Sequence, residues 1–126
     1  MSFFPPDVIE RAGEVIELCR SRQLTIATAE SCTGGLISAC LTEVAGASDA
    51  FERGFVTYSN RSKQEMLGVG ALTLERFGAV SSETALEMAL GARSRAMADI
   101  AVAVTGIAGP GGGSAQKPVG LVHVAA

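Results

Sequence analysis

The sequence predicts an α/β domain: a mixed β-sheet with helices on both of its faces. Three observations carry this. Segments with apolar residues at three- and four-residue steps alternate with short apolar runs. The last two such runs, 100–104 and 120–125, are joined by a loop rich in glycine and proline rather than by a helix. A parallel crossover needs a helix-sized connection, so this last pair is expected to be antiparallel. Finally, no repeat or linker divides the 126 residues, which fit one domain spanning 1–126.

Taken in order, the elements begin with a helix to about residue 22, capped by Asp7 after Pro5-Pro6. Val8, Ile9, Ala12, Val15, Ile16 and Cys19 form its apolar face. Residues 24–29 read as a strand. A second helix is expected from about 33–35 to Thr42; it is apolar nearly all round and therefore expected to be central. Residues 43–50 read as a loop and 54–59 as a strand. Ser62-Lys63-Gln64-Glu65 has the capping-box pattern and should open a short helix ending near Gly68. A helical turn over 72–77 stops at Gly78. Ser81 or Ser82 caps a longer helix to about Ala98, with Ala85, Met88, Ala89, Ala92 and Ala96 inward.

Composition narrows the function classes. Apolar residues make up 48% of the chain, enough for a real core. Charged residues are 18%, against the usual ~25%, which favours a homo-oligomer, a dimer in the simplest case. The net charge of −3 supplies no field for nucleic acid or anionic lipid. Cys19, Cys32 and Cys40 make an odd set with no disulfide pattern. No transmembrane run and no signal-peptide core is visible, so the cytoplasm is the expected compartment.

Three segments can hold chemistry. In Ala29-Glu30-Ser31-Cys32-Thr33-Gly34-Gly35 a strand gives way to a helix start. A serine there is either a helix cap or a nucleophile whose oxyanion is held by backbone N–H groups of Thr33 to Gly35. Cys32 is a rival nucleophile or a small buried residue. In Tyr58-Ser59-Asn60-Arg61-Ser62-Lys63, the lysine is one of only two in the chain, the other being Lys117. A lysine can serve as a base where an arginine cannot, provided its pKa falls well below ~10.4. Tyr58 can relay a proton to a leaving group or hydrogen-bond a substrate; otherwise Lys63 is a solvated surface residue and Tyr58 a packing residue.

The third segment, Thr105 to Ser114, holds five of the fifteen glycines. Its backbone N–H groups can wrap an anion, or it is simply a hairpin connection. Thr105, Gly106, Gly109, Gly111 and Gly112 are its candidate ligand contacts. It is not a Walker A loop. His123, the only histidine, sits within a strand pattern and reads as structural. No His, Cys and carboxylate set has metal-ligand spacing, so neither metal nor cofactor is expected.

Together, AESCTGG (29–35), AGAS (45–48), VTYSNRSK (56–63), GAVS (78–81), VTGIAGPGGGS (104–114) and KPVG (117–120) resemble the C-terminal domain of the CinA family. The ordered set is far more specific than any one string. The resemblance implies a three-layer α/β/α sandwich with a mixed, mostly parallel sheet. It also implies an amidohydrolase converting nicotinamide mononucleotide to nicotinate mononucleotide and ammonia, with a serine–lysine arrangement and no metal. Carried onto this chain, the lysine is Lys63, with Tyr58 nearby, and the serine is Ser31 or Ser48, Ser31 being preferred for its place at a helix terminus. Glu30, Thr33, Gly34 and Gly35 would contact the substrate. About 23 residues precede the first strand, so the family's additional N-terminal domain is expected to be absent. The chain stops within a strand, so a further helix-sized segment is expected to be missing. The competing reading is a non-catalytic nucleotide-binding module.

Overall fold

The computed structural model describes residues 2–126. Helix α1 spans Pro6–Ser21, with Pro6 in its first turn, where a missing N–H costs nothing. Asp7 lies inside that turn and is not the cap; Pro5 takes the cap position without a side-chain bond. Strand β1 (Ile26–Glu30) leads into α2 (Leu36–Thr42), a 3-10 turn (Ala47–Asp49) and strand β2 (Phe51–Val56). Three helices follow: α3 (Asn60–Leu67), α4 (Ala71–Phe77) and α5 (Ser82–Ala96). Strands β3 (Ile100–Gly106) and β4 (Val122–Ala125) complete the described chain.

Among the described residues the strands form one sheet in the order β2-β1-β3-β4. β1 is parallel to both neighbours, while β3 and β4 are antiparallel, as the helix-free connection requires. The β1–β2 step carries α2 on one face. The return step to β3 carries α3, α4 and α5 on the other. The result is a three-layer sandwich.

Strand alternation assigns the two cores. Ile26, Ile100 and Val102 pack with Ala12, Ile16 and Cys19 of α1 and with Leu41 of α2. Ala29, Ala101 and Ala103 pack on the opposite face with Met88, Ala89 and Ala92 of α5. This alanine floor brings α5 close to the sheet. The inward set expected for α5 is buried throughout. Gly91 lets α5 approach the end of α3: a Cβ there would lie 1.9 Å from the Leu67 carbonyl oxygen.

Three local expectations are corrected. The second strand is Phe51–Val56, not 54–59. A register irregularity near Ile26 and Ala27 shifts β2, so Phe51 packs beside α1 while Phe55 packs beside α5. Simple alternation would place both rings on one face. Next, α3 begins at Asn60, because Ser59 is the cap and exchanges bonds with Ser62. Finally, α2 is not central. Only Leu41 is buried within it, and Leu36 and Ala39 face outward.

Candidate active site

The carboxyl ends of β1, β2 and β3 gather the site, where ligands bind in open α/β sheets. The Ser31 N–H donates to the Val104 carbonyl at 3.0 Å, and the Thr57 N–H donates to the Glu30 carbonyl at 2.8 Å. The chain around Ser31 is therefore tied to both neighbouring strands. Ser31 itself is buried.

Lys63 reaches this point from the first turns of α3 and is only 1% exposed. Its Nζ donates to Ser31 Oγ at 2.8 Å, to the Thr57 carbonyl at 2.8 Å and to the Tyr58 carbonyl at 3.2 Å. Among the described residues, no carboxylate forms a salt bridge with it. Burial pushes the amine below the usual lysine range, opposed more weakly by the charge that Cys32 can carry. The hydrogen-bond inventory then orients it. As an ammonium, Lys63 donates to all three oxygens; in its neutral form the two carbonyls, which can only accept, would take both N–H bonds and turn the lone pair to the Ser31 hydroxyl.

A cleft of about 200 Å³ opens beside this pair. Ser31, Cys32, Tyr58, Lys63, Thr105 and Gly106 line it, with Ala79, Val80 and Ala108. Tyr58 is 71% exposed and lines the cleft, and its carbonyl holds Lys63. The Thr105 hydroxyl donates to the Ala79 carbonyl at 2.8 Å, tying β3 to the segment before α5. At Gly106 a Cβ would lie 3.0 Å from Cys32 Sγ and 2.9 Å from the Leu121 carbonyl oxygen, so the wall there must be bare.

Other sequence-predicted residues lie elsewhere. Ser48 is exposed on the 3-10 turn before β2. Because β1 and β2 are parallel, that turn is at the opposite end of the sheet from Ser31, roughly 16 Å away along the strands. Gly109, Gly111 and Gly112 sit further along the glycine loop and do not line the cleft. That loop is closed by Ile107 and Leu121 and latched by Lys117, whose amine donates to the Phe77 carbonyl. His123 pairs with Thr105 across β3 and β4, outside the lining set.

The turn after Ser31 differs from the expectation of free N–H groups. The Gly34 N–H donates to the Ser31 carbonyl, and the Gly35 N–H donates to Glu30 Oε1. Thr33 donates its hydroxyl to the same carboxylate at 2.6 Å. Cys32 and Thr33 keep the only backbone N–H groups of the turn without an acceptor among the described residues. Gly35 takes φ +113°, which a side chain would strain. The sequence reading missed Thr57, because a contribution made by a carbonyl leaves no mark on residue type. Ala79 and Val80 did leave one, in the string GAVS.

Among the described residues, no group of three or more His, Cys, Asp and Glu is placed to hold a metal ion. No helix there is long and apolar enough to cross a membrane.

The model of the CinA C-terminal domain matches residues 9–126. The chain belongs to the CinA C-terminal domain family. This CinA domain is 67% identical over 102 residues to a protein named for competence-damage induction from Acetivibrio thermocellus, covering 81% of the domain and 25% of that relative. The domain thus spans about a quarter of the length of such relatives. It is 50% identical over 119 residues to the nicotinamide-nucleotide amidohydrolase PncC of Escherichia coli K12, covering 94% of the domain and 72% of that protein. Among solved structures, the competence/damage inducible protein CihA from Agrobacterium tumefaciens superposes with a TM-score of 0.96 at 61% identity. That match covers 98% of the domain and 75% of CihA.

Proposed function

We propose that this CinA domain hydrolyses the carboxamide of nicotinamide mononucleotide, releasing ammonia and nicotinate mononucleotide. The observation that carries the reading is the buried contact between Lys63 Nζ and Ser31 Oγ. The named activity of the PncC relatives supports the substrate.

Lys63, neutral in its pocket, accepts the Ser31 hydroxyl proton while Oγ bonds to the carboxamide carbon. The carbonyl electron pair moves onto oxygen, where the free N–H groups of Cys32 and Thr33 stabilise it. The tetrahedral adduct collapses, the C–N bond breaks, and the ammonium of Lys63 returns its proton to the leaving nitrogen as ammonia. Water then attacks the acyl–Ser31 ester, Lys63 again takes its proton, and as the C–Oγ bond breaks Lys63 returns that proton to Ser31 Oγ and nicotinate mononucleotide departs. Tyr58, Thr105 and Gly106, which line the cleft, contact the substrate. The domain acts in the cytoplasm as a homo-oligomer.

The test is incubation of the protein with nicotinamide mononucleotide, following ammonia and the acid product together. Stoichiometric release of both is expected. Calorimetric binding without ammonia release would replace the enzyme reading with that of a nucleotide-binding module.

A further inference from the structure

Glu30 is fully buried yet does not line the cleft. Its oxygens are occupied by protein donors. Oε1 accepts from the Thr33 hydroxyl at 2.6 Å, the Ile37 N–H at 2.9 Å and the Gly35 N–H at 3.2 Å. Oε2 accepts from the Ser38 N–H at 3.0 Å and the Ser38 hydroxyl at 2.8 Å. Ser38 gives its one hydroxyl proton to Glu30, so Thr28 Oγ1, 2.6 Å from Ser38 Oγ, is the donor in that contact. Gly54 makes room for this chain: a Cβ there would lie 2.5 Å from Ser38 Oγ and 2.6 Å from Thr28 Oγ1.

Strand geometry separates this anion from the amine. Successive side chains alternate faces, so Glu30 points toward α2 and Ser31 toward the face that carries Lys63. The carboxylate is surrounded by donors of its own and makes no salt bridge with Lys63. Its effect on the cleft passes through the 31–35 turn, which it grips at Thr33 and Gly35.

We propose that Glu30 is a positioning residue: by clamping the 31–35 turn onto the start of α2, it holds the Ser31 hydroxyl within reach of Lys63 and leaves the Cys32 and Thr33 N–H groups free. This deepens the amidohydrolase reading and rests on its Ser31–Lys63 pair. A substrate carboxylate or phosphate has no place at the start of α2, because Glu30 already fills it.

In Glu30→Gln the shape is nearly kept, but the amide nitrogen must face N–H and O–H donors. Ser38→Ala removes one donor and keeps the backbone, so it serves if the glutamine variant folds poorly. Two rates are measured on protein whose folding is checked by circular dichroism: turnover of nicotinamide mononucleotide, and labelling of Ser31 by a fluorophosphonate, each as a function of pH. Glu30→Gln is expected to lower kcat and the labelling rate roughly tenfold to a hundredfold, with KM little changed. Ser38→Ala should lower both severalfold. The pH midpoint should stay in place, because Lys63 lies on the other face. Wild-type rates in folded Ser38→Ala or Glu30→Gln would overturn the proposal, as would a shift of the pH midpoint, which would make Glu30 an electrostatic partner of Lys63. Failure of the wild-type protein to hydrolyse the mononucleotide would defeat the substrate reading alone, since labelling still reports the position of Ser31.

Discussion

Lys63 Nζ lies 2.8 Å from Ser31 Oγ, inside the protein and with no carboxylate paired to the amine. Two backbone carbonyls complete its shell. A buried ammonium would normally gain an acidic partner, because desolvation penalises an unpaired charge. Here the partners are neutral, and burial lowers the Lys63 pKa, which brings the amine nearer to the neutral form that can act as a base.

Replacing Lys63 by arginine tests this directly. Arginine keeps a cation near the serine but cannot give up its proton. Lys63→Arg and Lys63→Ala should both lower kcat for ammonia release by roughly 10²- to 10⁴-fold. Near-wild-type turnover in the arginine variant would remove Lys63 as the base.

The pH dependence has a defined sign. Burial lowers the Lys63 pKa, so the amine becomes active as pH rises through a value below the usual lysine range. On the acid side kcat/KM should fall about tenfold per pH unit. The same shift acts on stability: the folded state binds fewer protons than the unfolded state between the folded and unfolded lysine pKa values, so this contribution favours folding more as pH rises through that window. A pH–rate profile that is flat, or that falls with rising pH, contradicts the mechanism.

Ser31 and Ser48 make a paired test. Ser31→Ala should cost as much turnover as the lysine substitutions, because the two residues act as one unit. Ser48→Ala should leave turnover unchanged, since Ser48 is exposed at the far end of the sheet. Steady-state assay of both variants, and mass analysis for an acylated Ser31, separates the two serines.

Gly91→Ala probes the packing that delivers Lys63. The new methyl group would meet the Leu67 carbonyl oxygen at 1.9 Å, and backbone cannot yield cheaply. The helix-propensity gain of about 1 kcal/mol is smaller than the roughly 1–3 kcal/mol or more expected from overpacking. The thermal midpoint should fall by several degrees, and turnover should drop because α3 is displaced. An unchanged or raised midpoint would show that α3 and α5 can separate without loss.

Glu30 adds a second titration with the opposite charge. Burial alone would raise its pKa, but the bonds from Thr33, Ser38 and Ile37 together outweigh it and lower the value. Its contribution to stability is therefore present above the unfolded carboxylate pKa of ~4.3 and is lost as pH falls through the lower folded value. Glu30→Gln should be less stable than wild type at neutral pH, and acid denaturation curves should converge at low pH. A constant difference across that range would contradict this assignment.

The alternation of helical and apolar segments, the antiparallel last pair and the inward face of α5 were all legible in the sequence, because periodicity and connection length are local properties. The ordered motifs likewise singled out Ser31 and Lys63. Local pattern favoured Ser31 over Ser48 only by its place at a helix start, since both are small serines in loop-like strings. Parallel pairing of β1 with β2 separates the two, placing Ser31 beside Lys63 and Ser48 at the opposite end of the sheet. The role of Thr57 was invisible because its carbonyl does the holding. Glu30 read as a substrate contact, and only the packing of α2 against β1 turned its carboxylate inward. Residue types in sequence thus determined which groups could do chemistry here. Tertiary structure decided which of them meet, because burial, a lone pair's direction and the satisfaction of a buried charge depend on neighbours far apart in the chain.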